Sequence, residues 1–318
     1  MKDDFGGILG SNPTTNPDFH TFNAVAVAYC DGASFGGARA EPIATRYMKR
    51  GRVATARMYL RGREVFDAVV RDLLETQGLR SATEVILAGS SAGGLAVLYS
   101  VDHLAEMLVG APRLVGLPDS GLFLDAYDVR QSFIAADEVW NVTGGKGTDA
   151  TCLASQPAGE AWRCLLAEYL VPHITTPLFV INSAYDAYQL SDIAGSDCVP
   201  TRPNPCNASV ALAYGDCLRA AAAAIGRIRR NGVYMTSCFV HGMVVNYCSG
   251  QRTPACVGWN PLESGSRKWN YTIEVDGRTP AQAFGDWYYG RRGARVSIDH
   301  AEFQSRRSCR LHQGWDHT

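Results

Sequence analysis

The fold is decided by Glu84-Val85-Ile86-Leu87-Ala88-Gly89-Ser90-Ser91-Ala92-Gly93-Gly94. Val85 to Leu87 is an apolar run of strand length. Beyond the glycines, Leu95, Val97, Leu98, Val101, Leu104, Ala105 and Leu108 recur at helical spacing. Between strand and helix stands G-x-S-x-G, filled by Gly89, Ser91 and Gly93. A serine at such a turn is held in a strained conformation with its hydroxyl above the sheet. The glycines are expected there because a Cβ would collide with the adjoining strand and helix. Ser90 is out of register, because Ala88 would have to serve as its leading glycine. A glycine-rich turn without chemistry is the bland alternative, but the strand before and helix after favour a nucleophile.

The chain has 318 residues, of which 46% are hydrophobic, enough for a substantial core. Its net charge is −1, and no long basic run marks it as a nucleic-acid protein. No apolar stretch is long enough to span a bilayer, and Met1-Lys2-Asp3-Asp4 does not open a signal peptide. Ten cysteines without a C-x-x-C nevertheless suggest an oxidising compartment rather than zinc. Sequons at Asn141, Asn207 and Asn270 point the same way. Together these features predict a secreted, disulfide-bonded glycoprotein whose beginning lies upstream of residue 1.

Outward from the central stretch, the pattern predicts one α/β domain over residues 1–318, with a mostly parallel sheet flanked by helices. Residues 1–23 read as loop. Ala24–Cys30 reads as a buried strand running into Asp31-Gly32-Ala33-Ser34-Phe35-Gly36-Gly37, either a wall of the active site or a turn. Residues 61–79 form an amphipathic helix with Val65, Val69, Val70, Leu73 and Leu74 inward. Further strands fall at Leu114–Leu117, Pro177–Asn182 and Val233–Val240, with broken helix over 125–170 and an alanine-rich helix over 210–229.

A serine nucleophile needs a base and a carboxylate to orient it, in the order Ser, acid, His for a sheet of this kind. Ser91, Asp186 and His241 follow that order, each at or just past a strand's carboxyl end. His103 lies three turns down the helix, and His173 belongs to the opposite edge of the sheet. His20, His300, His312 and His317 lie in loop or tail. Asp119 is the main rival acid, but it follows the elbow closely; Asp31 precedes it.

These motifs together resemble the pectin acetylesterase family, which includes the Notum carboxylesterases. The resemblance is carried by Tyr29-Cys30-Asp31-Gly32-Ala33-Ser34-Phe35, Leu60-Arg61-Gly62, Gly89–Gly94, Asp119–Asp125, Asn182–Leu190, Ser237–His241 and Gly285–Tyr289. The Asn182–Leu190 segment is closest to the plant-type members. The resemblance implies an α/β-hydrolase-like fold and a triad of Ser91, Asp186 and His241. It implies removal of acetyl groups from a cell-wall polysaccharide such as pectin, without metal or organic cofactor, by a monomer that binds neither nucleic acid nor membrane. The family carries a glycine-rich strand end with Trp and Cys upstream of residue 1, which supplies part of the oxyanion hole. That leaves Ala92 N–H as the assignable donor and predicts a gap in the sheet. Asp31, Tyr185 and Tyr188 are the candidate substrate contacts, with the two tyrosines at the pocket rim.

Two alternatives remain beside this reading: a Notum-like deacylase of a lipid-modified protein, and a non-catalytic carbohydrate-binding homologue. Proximity and resemblance further suggest disulfides Cys152–Cys164, Cys198–Cys206, Cys248–Cys256 and Cys238–Cys309. Cys30 is left without its partner, and Cys217 is left as a buried thiol.

Overall fold

The computed structural model describes residues 6–126, 129–193, 208–246, 269 and 273–303. Its centre is a five-stranded, all-parallel sheet. The strands are β4 (Glu84–Ser90), β5 (Arg113–Asp119), β6 (Phe179–Tyr185), β7 (Gly232–Phe239) and β9 (Val296–Ile298), side by side in that order. Two short strands, β1 (Gly6–Gly7) and β8 (Val245–Asn246), pair with each other. A separate antiparallel hairpin is formed by β2 (Ile43–Lys49) and β3 (Arg52–Met58).

Successive side chains of a strand point to opposite faces, and both faces here are covered. On one face Leu114, Val180, Val233 and Met235 pack with helices α1 (Gly62–Glu75), α2 (Ala92–Met107) and α6 (Ala208–Arg227). On the other, Val115, Leu117, Phe179, Ile181 and Tyr234 meet Phe19, Trp269 and α7 (Pro280–Tyr288). Burial on both faces explains why these strands read as continuous apolar runs. Residues 125–170 contain α3 (Val129–Trp140), α4 (Ala150–Ser155) and α5 (Ala167–Leu170), tied by a Cys152–Cys164 disulfide.

Three expectations are corrected. Ala24–Cys30 is not a buried strand: it joins no ladder, and Val25, Val27 and Tyr29 are 52%, 40% and 50% exposed. Strand conformation needs a hydrogen-bonding neighbour, and this run faces β4 across a groove of about 510 Å³ instead of pairing with it. Val69 and Leu73 of α1 also line that groove, together with Phe66 and Val70, and the buried apolar residues of α1 are Phe66, Val70 and Leu74. The outer edge of β4 is unpaired among the described residues, so its apolar residues are only half-buried. Second, the sheet does not end with Val233–Val240, because Val296–Ile298, where no strand is expected, adds to β7 at the far edge. Third, Cys217 is free but exposed. Cys30 is also free, and Cys238 is disulfide-bonded. Cys198, Cys206, Cys248, Cys256 and Cys309 lie outside the described residues, as do Asn207, Asn270, His312 and His317. No helix among the described residues is long and apolar enough to cross a membrane.

Candidate active site

Ser91 sits between β4 and α2 with φ 60° and ψ −120°. That region costs a non-glycine residue of order 1–3 kcal/mol and persists only where its surroundings impose it. Here they do. A Cβ on Gly89 would lie 2.3 Å from the carbonyl oxygen of Gly93, so strand and helix meet backbone to backbone. A Cβ on Gly94 would lie 2.7 Å from the carbonyl oxygen of Asp119 and 2.9 Å from the Gly121 Cα. Gly93 departs from expectation, because a Cβ there meets nothing within 4 Å. The close approach involves its backbone, and the third glycine that sterics demand is Gly94. The Ser91 N–H donates to the Asp119 carbonyl at 2.8 Å, which fixes the elbow to the end of β5. Ala92 opens α2, and a first-turn N–H has no acceptor within its own helix.

Asp186 follows β6 and is fully buried. One carboxylate oxygen accepts the Gln189 N–H at 3.0 Å. His241 lies just past β7, partly exposed, with Nδ1 2.8 and 2.9 Å from the two Asp186 oxygens. An ionised carboxylate only accepts hydrogen bonds, so Nδ1 carries the proton and Nε2 is left with its lone pair. Parallel strands bring all three residues to one end of the sheet, because each lies at a strand's carboxyl end. Asp186, not Asp119, holds the imidazole.

Asp119 is fully buried too, with a different set of partners. Its Oδ2 accepts the N–H groups of Met243 at 2.6 Å and Val244 at 2.9 Å, and Ser90 donates its hydroxyl to the same carboxylate. The Ser120 hydroxyl donates to Asp119 Oδ1 and accepts the Gly242 N–H at 2.9 Å. Burial pushes the Asp119 pKa up, against these donors and the nearby His241. The turn that follows His241 is thus clamped to the end of β5. Sequence reasoning weighed Asp119 only as a rival acid; the adjacent Ser120 was the signal for a clamp.

The other sequence candidates separate. Tyr188 is 46% exposed, and its ring centroid lies 5.4 Å from that of His241 and 6.5 Å from that of Phe123. Tyr185 is corrected: it is buried, not at a rim. As the last residue of β6 it turns under the sheet against Phe303, Gly215 and the Arg219 guanidinium. Asp31 is corrected as well. It is buried, accepts the Phe35 N–H at 3.1 Å and abuts Gly62, so it shapes its own turn rather than contacting a ligand. That turn is further held by Trp140, whose indole N–H donates to the Asp31 carbonyl at 2.7 Å. Among the competing histidines, His103 pairs with Asp67 at 2.7 Å on the helical layer, and His173 contacts Thr151 and Ser155. The groove beside β4 is lined by Glu84 to Ala88 but by none of Ser91, Asp186 or His241.

The chain is similar to known carboxylic ester hydrolases. Pectin acetylesterase 5 of Arabidopsis thaliana is 31% identical over 314 residues, covering 92% of this chain and 65% of its own length. The palmitoleoyl-protein carboxylesterase NOTUM of Drosophila melanogaster is 30% identical over 251 residues, covering 76% of this chain and 35% of its own length. The crystal structure of the Drosophila Wnt deacylase Notum superposes with a TM-score of 0.73 at 26% identity, covering 96% of this chain and 79% of that one. The pectinacetylesterase family matches residues 1–310, and the chain belongs to that family.

Proposed function

We propose that this chain is a serine carboxylesterase that removes acetyl groups from a cell-wall polysaccharide such as pectin. The observation that carries the reading is the His241–Asp186 pair, held through Nδ1, at the same end of the sheet as the strained Ser91. In this reading His241 Nε2 takes the Ser91 hydroxyl proton as Oγ attacks the acetyl carbonyl. Asp186 holds the ring and stabilises the imidazolium that forms. The Ala92 N–H, at the positive end of α2, donates to the developing oxyanion. The tetrahedral intermediate collapses as His241 returns the proton to the leaving sugar hydroxyl. Water, activated by the same imidazole, then attacks the acetyl-serine and releases acetate. The exposed face of Tyr188 offers a stacking surface for a sugar ring beside His241.

The membership in a family of carboxylic ester hydrolases supports the reaction class, and the name of the plant relative supports the substrate. The likeness to Notum supports a second reading, hydrolysis of a long acyl ester on a protein. The Cys152–Cys164 and Cys238 disulfides and the exposed sequon residue Asn141 support an extracellular location. A panel of p-nitrophenyl esters of rising acyl length, run beside acetylated pectin, tests the assignment. The expected result is turnover highest for acetate, acetate release from pectin, and loss of both in Ser91→Ala. A preference for long acyl chains selects the second reading, and unchanged turnover in Ser91→Ala refutes both.

A further inference from the structure

The β2–β3 hairpin stands apart from the sheet. Seven residue pairs, from Ile43 with Met58 to Lys49 with Arg52, close on a two-residue turn, Arg50-Gly51. Both turn residues have positive φ, 49° and 76°, as a hairpin turn that follows the strand twist requires. No third strand pairs with the hairpin among the described residues, and most of its side chains are exposed and none is buried. A lone two-stranded ribbon is marginal in water, so its composition calls for an explanation.

That composition is cationic. Arg46, Lys49, Arg50, Arg52 and Arg57 lie within it, and no Asp or Glu occurs from residue 43 to residue 63. The whole chain carries −1 and the hairpin +5, so the remainder carries −6. None of the five cations makes an ion pair among the described residues. Lys49 and Arg52 stand directly opposite each other beside Arg50, an arrangement that is repulsive across a ladder. An anion laid along the tip would relieve that repulsion. Tyr47 on the same face as Lys49 and Arg52, and Tyr59 just beyond the ladder, are 44% and 59% exposed. An aromatic face beside Lys49 and Arg52 suits a sugar ring that bears a carboxylate. The charged tip is the wrong end for insertion into a bilayer.

We propose that the β2–β3 hairpin is a binding arm for an anionic polysaccharide, one carrying carboxylates along its length, which it holds while the Ser91 site acts on the polymer's esters. The link to catalysis rests on the function proposed above, whereas the binding does not.

Affinity electrophoresis of the full chain tests this, in native gels containing polygalacturonate, fully methyl-esterified galacturonan or dextran. The expected result is retardation by polygalacturonate alone, weakening as salt is raised. The triple substitution Lys49→Gln, Arg50→Gln, Arg52→Gln should lower the affinity about tenfold or more, as loss of three charge contacts implies. Its turnover of p-nitrophenyl acetate should match the wild type, which also shows that the variant folds. Ser91→Ala should be retarded like the wild type, so failure of the catalytic assignment leaves this result standing. Equal retardation of the triple variant overturns the proposal. So does equal retardation by the methyl-esterified polymer, or binding to anionic vesicles or oligonucleotides with none to polygalacturonate.

Discussion

At the scale of single residues, the elbow depends on which backbones touch. Gly89 and Gly94 are close-approach glycines, and Gly93 is a helical residue with open space above it. Alanine at 93 gains helix propensity, about 0.5–1 kcal/mol. Alanine at 89 or 94 forces β4, α2 and the end of β5 apart, an overpacking cost of about 1–3 kcal/mol or more. The expected outcome is a Tm unchanged or raised in Gly93→Ala and clearly lowered in Gly89→Ala and Gly94→Ala. A Gly93→Ala variant as unstable as the other two would contradict the contacts described. The candidate positions Ser91, Asp186 and His241 were legible in the sequence because a serine between two glycines, and an acid and a histidine at strand ends, are local patterns. Tyr185 was not, because whether a residue ending a strand turns outward or under the sheet is set by α6 and Phe303, which lie far off in sequence.

At the scale of elements, the position of the base is set by the end of β5. One residue, Asp119, reaches Ser91 through its carbonyl and the His241 turn through its carboxylate. Replacing it with asparagine removes the charge that gathers the Met243 and Val244 N–H groups and leaves Ser90 and Ser120 with an altered partner. Displacing the His241 turn by a fraction of an ångström should lower kcat on p-nitrophenyl acetate about 10²-fold, with KM little changed. Ser120→Ala, which loses the acceptor for Gly242 N–H, should show a smaller loss in the same direction. Full kcat in Asp119→Asn would mean that the clamp does not position the base. The strands of the central sheet were readable because doubly buried strands are apolar throughout. The β2–β3 hairpin carries no strand signal because its apolar and polar residues do not alternate, and Val296–Ile298 carries none because three residues make too short a pattern.

At the scale of the whole molecule, the sheet is closed at neither edge among the described residues, and β4 opens onto an apolar groove whose far wall is Ala24, Val25 and Val27. An apolar run was read there as a buried strand; whether it pairs depends on what lies beside it, which no local pattern encodes. Unpaired edges flanked by apolar residues associate with one another unless charge intervenes. Val25→Lys with Val27→Lys should therefore lower the scattering mass at high concentration toward that of the monomer, without loss of esterase activity. No change would show that the groove does not drive association. The account as a whole turns on Ser91 being the nucleophile activated by His241 and Asp186. The most direct measurement is intact-mass analysis after treatment with a fluorophosphonate, followed by peptide mapping. The account predicts one adduct, on Ser91, absent in Ser91→Ala and formed much more slowly in His241→Ala and Asp186→Asn. An adduct on another residue, or labelling of Ser91 that is indifferent to His241 and Asp186, would contradict it.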